Sequence, residues 1–197
     1  MKLKGKTAVV SGASSGLGMA IAQALVAKEV RVYALARNKE KLQKLEADLG
    51  DLLHPVSLDI TDEAAIAAWV GETFTDTKPD ILINNAGVGS FGKIDELPTS
   101  AWNAMINTNL NGMYYLTSSL IPLMKEKDTQ SYVINIGSIL GIDTRSEGTA
   151  YCASKFGARG FSEALLKEVR SDNIKVTTLH PGSIETSFFK SSGIEKH

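Results

Sequence analysis

The chain contains a single cysteine, Cys152, among 197 residues, so no internal disulfide can form and the composition suits a reducing compartment. Cys152 follows Tyr151 directly and reads as a small helix-packing residue rather than a reactive thiol. The three histidines, His54, His180 and His197, are too scattered to join one thiol in a metal-ligand spacing, so no metal is expected. No nucleophile–histidine–acid arrangement stands out either, which disfavours hydrolysis, and His180 beside Pro181 reads as packing. No apolar run nears the ~20 residues that span a bilayer. The basic start at residues 1–6 leads into only a few apolar residues before Ser11-Gly12, which is no leader peptide. Charge of neither sign dominates: 21 basic residues face 22 acidic ones, a balance that argues against a nucleic-acid surface. A cytoplasmic protein with neither a membrane nor a nucleic-acid partner is expected.

Tandem repeats, low-complexity tracts and interdomain linkers are also missing, so residues 1–197 are expected to form one domain. Short apolar strands alternate with helical patterns throughout. The pattern predicts strands near 7–11, 30–36, 53–59, 80–84, 131–137 and 174–180. Helices are expected near 16–28, 39–49, 62–75, 100–126 and 152–171, with Thr61 or Asp62 capping the third. Pro122 should kink or shorten the fourth. Strict alternation of this kind gives an α/β fold, a doubly wound parallel sheet with ligands at the carboxyl ends of its strands. The glycine turn, Ala36-Arg37, Asp59, residues 84–87, Ser138 and Pro181-Gly182 each follow a predicted strand.

Two motifs carry chemistry. Tyr151 and Lys155 stand four apart on a predicted helix, hence on one face, with Ser138 thirteen residues upstream. A cation within ~4–6 Å favours the phenolate and lowers its pKa, and a serine hydroxyl aimed at the same point could anchor a carbonyl or alcohol oxygen. Taken alone, such a Tyr–Lys pair is more often a solvated one. The second motif, Ser11-Gly12-Ala13-Ser14-Ser15-Gly16-Leu17-Gly18, lies between the first strand and the first helix. Backbone N–H groups and the helix dipole there form an anion site. Gly12 allows the turn, Gly16 lets a pyrophosphate approach, and Gly18 lets the helix pack on the sheet.

With these residues in place, the chain resembles the compact, NAD(P)-dependent branch of the short-chain dehydrogenase/reductase family, over essentially its whole length. The motifs are S-G-A-S-S-G-L-G (11–18), N-N-A-G (84–87), N-x-N-L-N-G (107–112), Ser138, Y-C-A-S-K (151–155) and P-G-S-I-E-T (181–186). Ser11 stands where the family usually has threonine, and both carry a hydroxyl. The resemblance implies a Rossmann fold and a catalytic tetrad of Asn109, Ser138, Tyr151 and Lys155. Tyr151 would be the general acid/base. Lys155 would lower its pKa and bond the nicotinamide ribose, Ser138 would orient the substrate oxygen, and Asn109 would hold a water. Without the family, Asn109 reads as an asparagine bonding backbone in an irregular helix. Gly12, Ser14, Ser15, Gly16, Leu17 and Gly18 would cradle the cofactor, with Asp59 near its adenine. Asn85, Ala86 and Gly87 would lie along it, and Pro181, Gly182, Ile184 and Thr186 would surround the nicotinamide.

The second strand ends in Ala36-Arg37, with no acid until Glu40, where an NAD site commonly places one for the ribose 2′-hydroxyl. A guanidinium suits a 2′-phosphate, so NADP(H) is expected in preference to NAD(H). An exposed charge near a helix start is the plainer reading of Arg37. The expected activity is interconversion of a carbonyl with a secondary alcohol or hydroxy acid. The alternative is a cofactor-binding sensor or scaffold without turnover. Asp143, Arg145 and Glu147 make the segment before Tyr151 polar, and Arg145 could pair with an acidic substrate or simply be solvated. Family members usually continue for some tens of residues past P-G-x-x-x-T, supplying a lid and a last strand, so a shortened chain or a six-stranded sheet is expected. Apolar positions on the fourth and fifth helices suggest a homodimer or homotetramer.

Overall fold

Thr7-Ala8-Val9-Val10-Ser11 form β1 (Thr7–Ser11), whose five residues are all buried. Alternation sends its side chains to opposite faces of the sheet: Val9 enters one apolar cluster, while Ala8 and Val10 enter the other. A strand buried on both faces needs a continuous apolar run, and this one has it. The computed structural model describes residues 2–186.

The remaining elements follow in strict alternation. They are α1 (Gly16–Val26), β2 (Arg31–Ala36), α2 (Lys39–Leu49), β3 (Leu53–Ser57), α3 (Glu63–Thr73) and β4 (Ile81–Asn84). The second half adds α4 (Thr99–Ile106), α5 (Gly112–Lys125), β5 (Ser131–Ile136), α6 (Thr149–Val169) and β6 (Ile174–Leu179). All strand pairs are parallel, in the order β3-β2-β1-β4-β5-β6. The order reverses between β1 and β4, and a crevice opens at the carboxyl ends of the strands at that point. The expected doubly wound sheet is therefore present as a single six-stranded unit. No helix among the described residues is long and apolar enough to cross a membrane.

Local chemistry fixes the helix starts. Asn38 Oδ1 accepts the Lys41 N–H at 2.8 Å, and Asp62 Oδ1 accepts the Ala65 N–H at 2.9 Å. Caps of this kind contribute about 1 kcal/mol each. Beneath the sheet, Asp80 ties the amino end of β4 to that of β1. It accepts from Lys6 Nζ at 2.8 Å and from the Thr7 N–H at 2.9 Å, and Lys127 Nζ lies 3.0 Å away.

Two helices differ from expectation. The helix expected over 100–126 divides into α4 and α5 around a π-helical turn at Asn107–Asn111, and Pro122 lies within α5 without ending it. The wider turn carries Asn109 inward, where its amide bonds the Val88 backbone and Ser154, compensating the disturbed helical ladder. The last helix begins at Thr149 rather than 152, so Tyr151 and Lys155 fall in its first two turns. On α5 and α6, Met113, Leu116, Leu120, Met124, Leu165 and Val169 face the core, whereas Tyr114 and Phe156 remain exposed.

Candidate active site

The carboxyl edge of the sheet holds a cleft of about 530 Å³. One end is built by the turn between β1 and α1. Gly12 has φ +67°, and a Cβ on it would stand 2.8 Å from Ala86 Cα, so the turn and the segment after β4 pack backbone to backbone. A Cβ on Gly18 would collide with the Gly12 carbonyl and the Asn85 side-chain amide. Gly18 thus lies under the turn rather than on the cleft wall, and it admits the turn and Asn85 more than the sheet. Gly12, Ser14, Ser15, Gly16 and Leu17 do line the cleft. No side chain caps the first turn of α1, so its N–H groups face the cleft end as an anion site. This turn, packed too closely on Ala86 and Asn85 for any residue but glycine at 12 and 18, and the cleft volume beyond it fit a dinucleotide.

The wall also includes Arg37, Asp59, Asn85, Ala86, Gly87, Pro181, Gly182, Ile184 and Thr186, and a Cβ on Gly16 would stand 3.2 Å from the Thr186 side chain. Arg37 is largely exposed and its nearest acid is Asp59, at 3.9 Å. Asp59 Oδ1 also accepts from the Thr61 N–H and hydroxyl, both at 2.9 Å, so it organises the turn into α3.

At the far end Ser138, Tyr151 and Lys155 converge on the cleft. Ser138 starts a 3-10 turn over Ile139–Gly141, and its Oγ accepts the Leu140 N–H at 3.1 Å. That contact leaves the hydroxyl proton to point outward. The Ser138 side chain hydrogen-bonds the Tyr151 phenol. Lys155 is buried and donates through Nζ to the Ile136 carbonyl at 2.9 Å. Burial pulls its ammonium from 10.5 down to about 8.

The expected acidification of Tyr151 is overturned. Burial raises its pKa above the usual 10.0, the hydrogen bond from Ser138 opposes this, and Cys152 adds to the rise. The Lys155 ammonium lies 5.8 Å from the Tyr151 ring centroid and is engaged with Ile136, so it does not offset desolvation. Tyr151 is consequently a protonated phenol at neutral pH.

Asn109 does not line the cleft. Its Oδ1 accepts the Val88 N–H at 2.8 Å, and Nδ2 donates to the Val88 carbonyl and to Ser154 Oγ, each at 2.9 Å. Ser154 Oγ donates in turn to the Tyr151 carbonyl at 2.8 Å, so Asn109 couples the segment after β4 to the start of α6.

The chain matches known proteins over nearly its whole length. The short chain dehydrogenase family model matches residues 6–196. The chain belongs to the short-chain dehydrogenase family. A 3-oxoacyl-acyl-carrier-protein reductase of Vibrio harveyi is 35% identical over 192 residues, covering 96% of this chain and 78% of that protein. A serine 3-dehydrogenase of Rhizobium radiobacter is 34% identical, over 92% of this chain and 73% of its own. Among solved structures, the closed form of a serine dehydrogenase complexed with NADP+ superposes with a TM-score of 0.91 at 32% identity, over 94% of this chain and 76% of that one. A 3-ketoacyl-acyl-carrier-protein reductase of Brucella melitensis complexed with NADH gives 0.92 at 28%, over 97% and 81%. The chain is accordingly an oxidoreductase.

Three parts of this short-chain dehydrogenase site escape a reading of the sequence. Ser11 is more than a threonine substitute: its Oγ accepts the Asn85 and Ala86 N–H groups at 3.0 and 3.1 Å, locking the turn after β4 onto β1. His180 Nδ1 sits 2.9 Å from the Ser138 carbonyl, which makes its packing role specific. Phe91 lines the cleft with its ring centroid 5.2 Å from that of Tyr151. A lone aromatic in a glycine-bearing loop was the available signal, but nothing in the spacing says which ring it meets.

Proposed function

We propose that the protein is an NADP(H)-dependent oxidoreductase interconverting a carbonyl and a secondary alcohol or hydroxy acid, with Tyr151 as acid/base. The observation that carries this is the hydrogen-bonded Ser138–Tyr151 pair on the wall of a cleft whose other end is an anion cradle. A reduced nicotinamide, when bound, supplies the hydride. Tyr151 donates its proton to the substrate oxygen, and its raised pKa keeps that proton in place at neutral pH. Ser138, with Leu140 N–H on its lone pair, would turn its O–H from Tyr151 to the same oxygen when a substrate binds, stabilising the charge developing there. Lys155 holds positive charge beneath Tyr151, and with one proton on Ile136 it has donors left for the ribose. Asn109 acts as a positioning residue, through Val88 and Ser154.

Gly12, Ser14, Ser15, Gly16 and Leu17 would hold the pyrophosphate, and Gly18 shapes their turn. Asn85, Ala86 and Gly87 would support the adjoining ribose, with Pro181, Gly182, Ile184 and Thr186 at the nicotinamide. Arg37 supports a 2′-phosphate, with Asp59 beside the adenine. An exposed pair at 3.9 Å is worth about 0–1 kcal/mol, so Arg37 readily exchanges Asp59 for a doubly charged phosphate. NAD(H) remains the weaker cofactor in this reading. A homodimer or homotetramer through α5 and α6 belongs to it too, supported by exposed Tyr114 and Phe156, and so does a cytoplasmic setting, in keeping with the free buried thiol of Cys152.

A panel of ketones, aldehydes and oxo acids assayed by oxidation of reduced NADP and reduced NAD tests the reading. Turnover with preference for NADP is expected; nucleotide binding with no turnover across the panel would instead indicate a sensor. Arg37→Asp should weaken NADP far more than NAD, and equal losses would refute the 2′-phosphate assignment.

A further inference from the structure

We propose that Arg145 receives a carboxylate of the substrate, which makes short oxo acids and their hydroxy acids the preferred substrate class; the inference rests on the oxidoreductase reading above. Arg145 lies in the segment between the 3-10 turn and α6, and lines the same cleft as Tyr151. Although exposed, it is held in place. Its guanidinium carbon sits 5.2 Å from the centroid of the Phe91 ring, and that ring sits 5.2 Å from the ring of Tyr151. The stem of the side chain packs on Gly148, where a Cβ would stand 2.8 Å from Arg145 Cγ. Gly92 N–H donates to the Glu147 carbonyl at 2.8 Å and Gly148 N–H to the Arg145 carbonyl at 3.3 Å, so the two loops carrying Phe91 and Arg145 are tied together.

Among the described residues, this guanidinium has no acid partner. Its Nε donates to the Ser146 carbonyl at 3.3 Å, leaving both terminal nitrogens, and no ion pair to it forms among the described residues. Asp59 is the one carboxylate among the described cleft residues, and it sits beside Arg37. Asp143 and Glu147 lie near in sequence but outside the cleft wall, and Asp143 Oδ1 accepts the Thr144 N–H at 2.7 Å. The uncapped start of α6 adds its positive end to the same side. A planar donor fork over an aromatic ring that itself contacts the ring of the acid/base is suited to forked binding of a carboxylate while the carbonyl meets Tyr151 and Ser138. The carboxylate takes no part in the bond changes; it fixes which carbonyl is presented.

The test compares acetoacetate with its neutral methyl ester, and with dihydroxyacetone phosphate, in wild type, Arg145→Met and Arg145→Lys. Wild type should prefer acetoacetate, and Arg145→Met should cut the acetoacetate-to-ester ratio of kcat/KM roughly ten- to hundredfold, the worth of a charged hydrogen-bonded contact. Arg145→Lys should restore part of the loss. An unchanged ratio overturns the proposal, and a wild-type preference for the phosphate overturns the carboxylate class. Turnover of the ester alone would sustain the oxidoreductase reading while sinking the role of Arg145. If wild type reduces none of them, titration calorimetry of acetoacetate into the NADP+-loaded protein decides: binding lost in Arg145→Met supports the site, and equal binding refutes it.

Discussion

Replacing Lys155 with methionine should stabilise the protein at neutral pH while abolishing turnover. The side chain is buried, and burial lowers its pKa from 10.5 to about 8. At ~1.4 kcal/mol per pKa unit, holding that charge inside the fold costs roughly 3 kcal/mol. Because the folded value lies below the unfolded one, the penalty is present in full below pH 8. It fades as pH rises from about 8 to 10.5, where the folded protein gives up its proton before the unfolded chain does. Methionine keeps the length of the side chain but leaves the Ile136 carbonyl without the Lys155 donor, a loss of about 1–3 kcal/mol. The net gain expected at pH 7 is therefore about 1 kcal/mol, and it should vanish or reverse near pH 10.5. Urea unfolding of wild type and Lys155→Met at both pH values measures the difference, in which groups common to both proteins cancel. A variant less stable than wild type by the same amount at both pH values would refute the reasoning.

Other outcomes follow from the same structure. Oxidation of the alcohol should rise with pH without levelling off below pH ~10, because it needs the phenolate of a group that burial holds above its usual value, whereas reduction uses the protonated form already present at neutrality; an oxidation plateau below pH 8 in initial-rate profiles would show an acidic phenol instead. Burial would raise the Asp80 pKa, but Lys6, the Thr7 N–H and Lys127 together lower it, so its stabilisation is complete above the unfolded value of 3.8 and lost as pH falls through the folded one. Asp80→Asn should cost about 3 kcal/mol in denaturant unfolding at pH 7, and a loss under 1 kcal/mol would contradict that role. Gly12→Ala combines a left-handed φ with a contact on Ala86 Cα, and should cost about 2 kcal/mol and weaken NADP binding; a wild-type melting temperature and affinity would count against the cradle.

The strands were legible because parallel sheets need β-branched runs buried on both faces, and runs such as Thr7–Val10 and Ile81–Ile83 have few other uses. The edge of the sheet on which ligand-type residues gather was legible for a related reason: strict alternation fixes the hand of every crossover, hence the end at which each strand stops. An irregular helix at Asn109 with its side chain on backbone was legible, but not that the backbone belongs to Val88, 21 residues earlier in the chain. Pro122 looked the better candidate for an interruption, yet α5 runs through it. The direction of the Tyr151 shift lies outside what the sequence pattern carries, for a similar reason. Four-residue spacing says that a phenol and an ammonium share a helix face, but it says nothing about how deeply the phenol is buried or what else engages the ammonium. Gly18 was recognised as a close-packing residue, while its partner, Asn85, comes from the far side of the crevice.

Tyr151→Phe removes one oxygen from a buried ring that packs against Phe91, so the fold and the nucleotide cradle should survive it. Steady-state reduction of a carbonyl by reduced NADP, measured alongside NADP affinity, should show kcat down by roughly 10²–10⁴ with binding retained. Turnover by Tyr151→Phe at the wild-type rate would contradict Tyr151 as the proton donor.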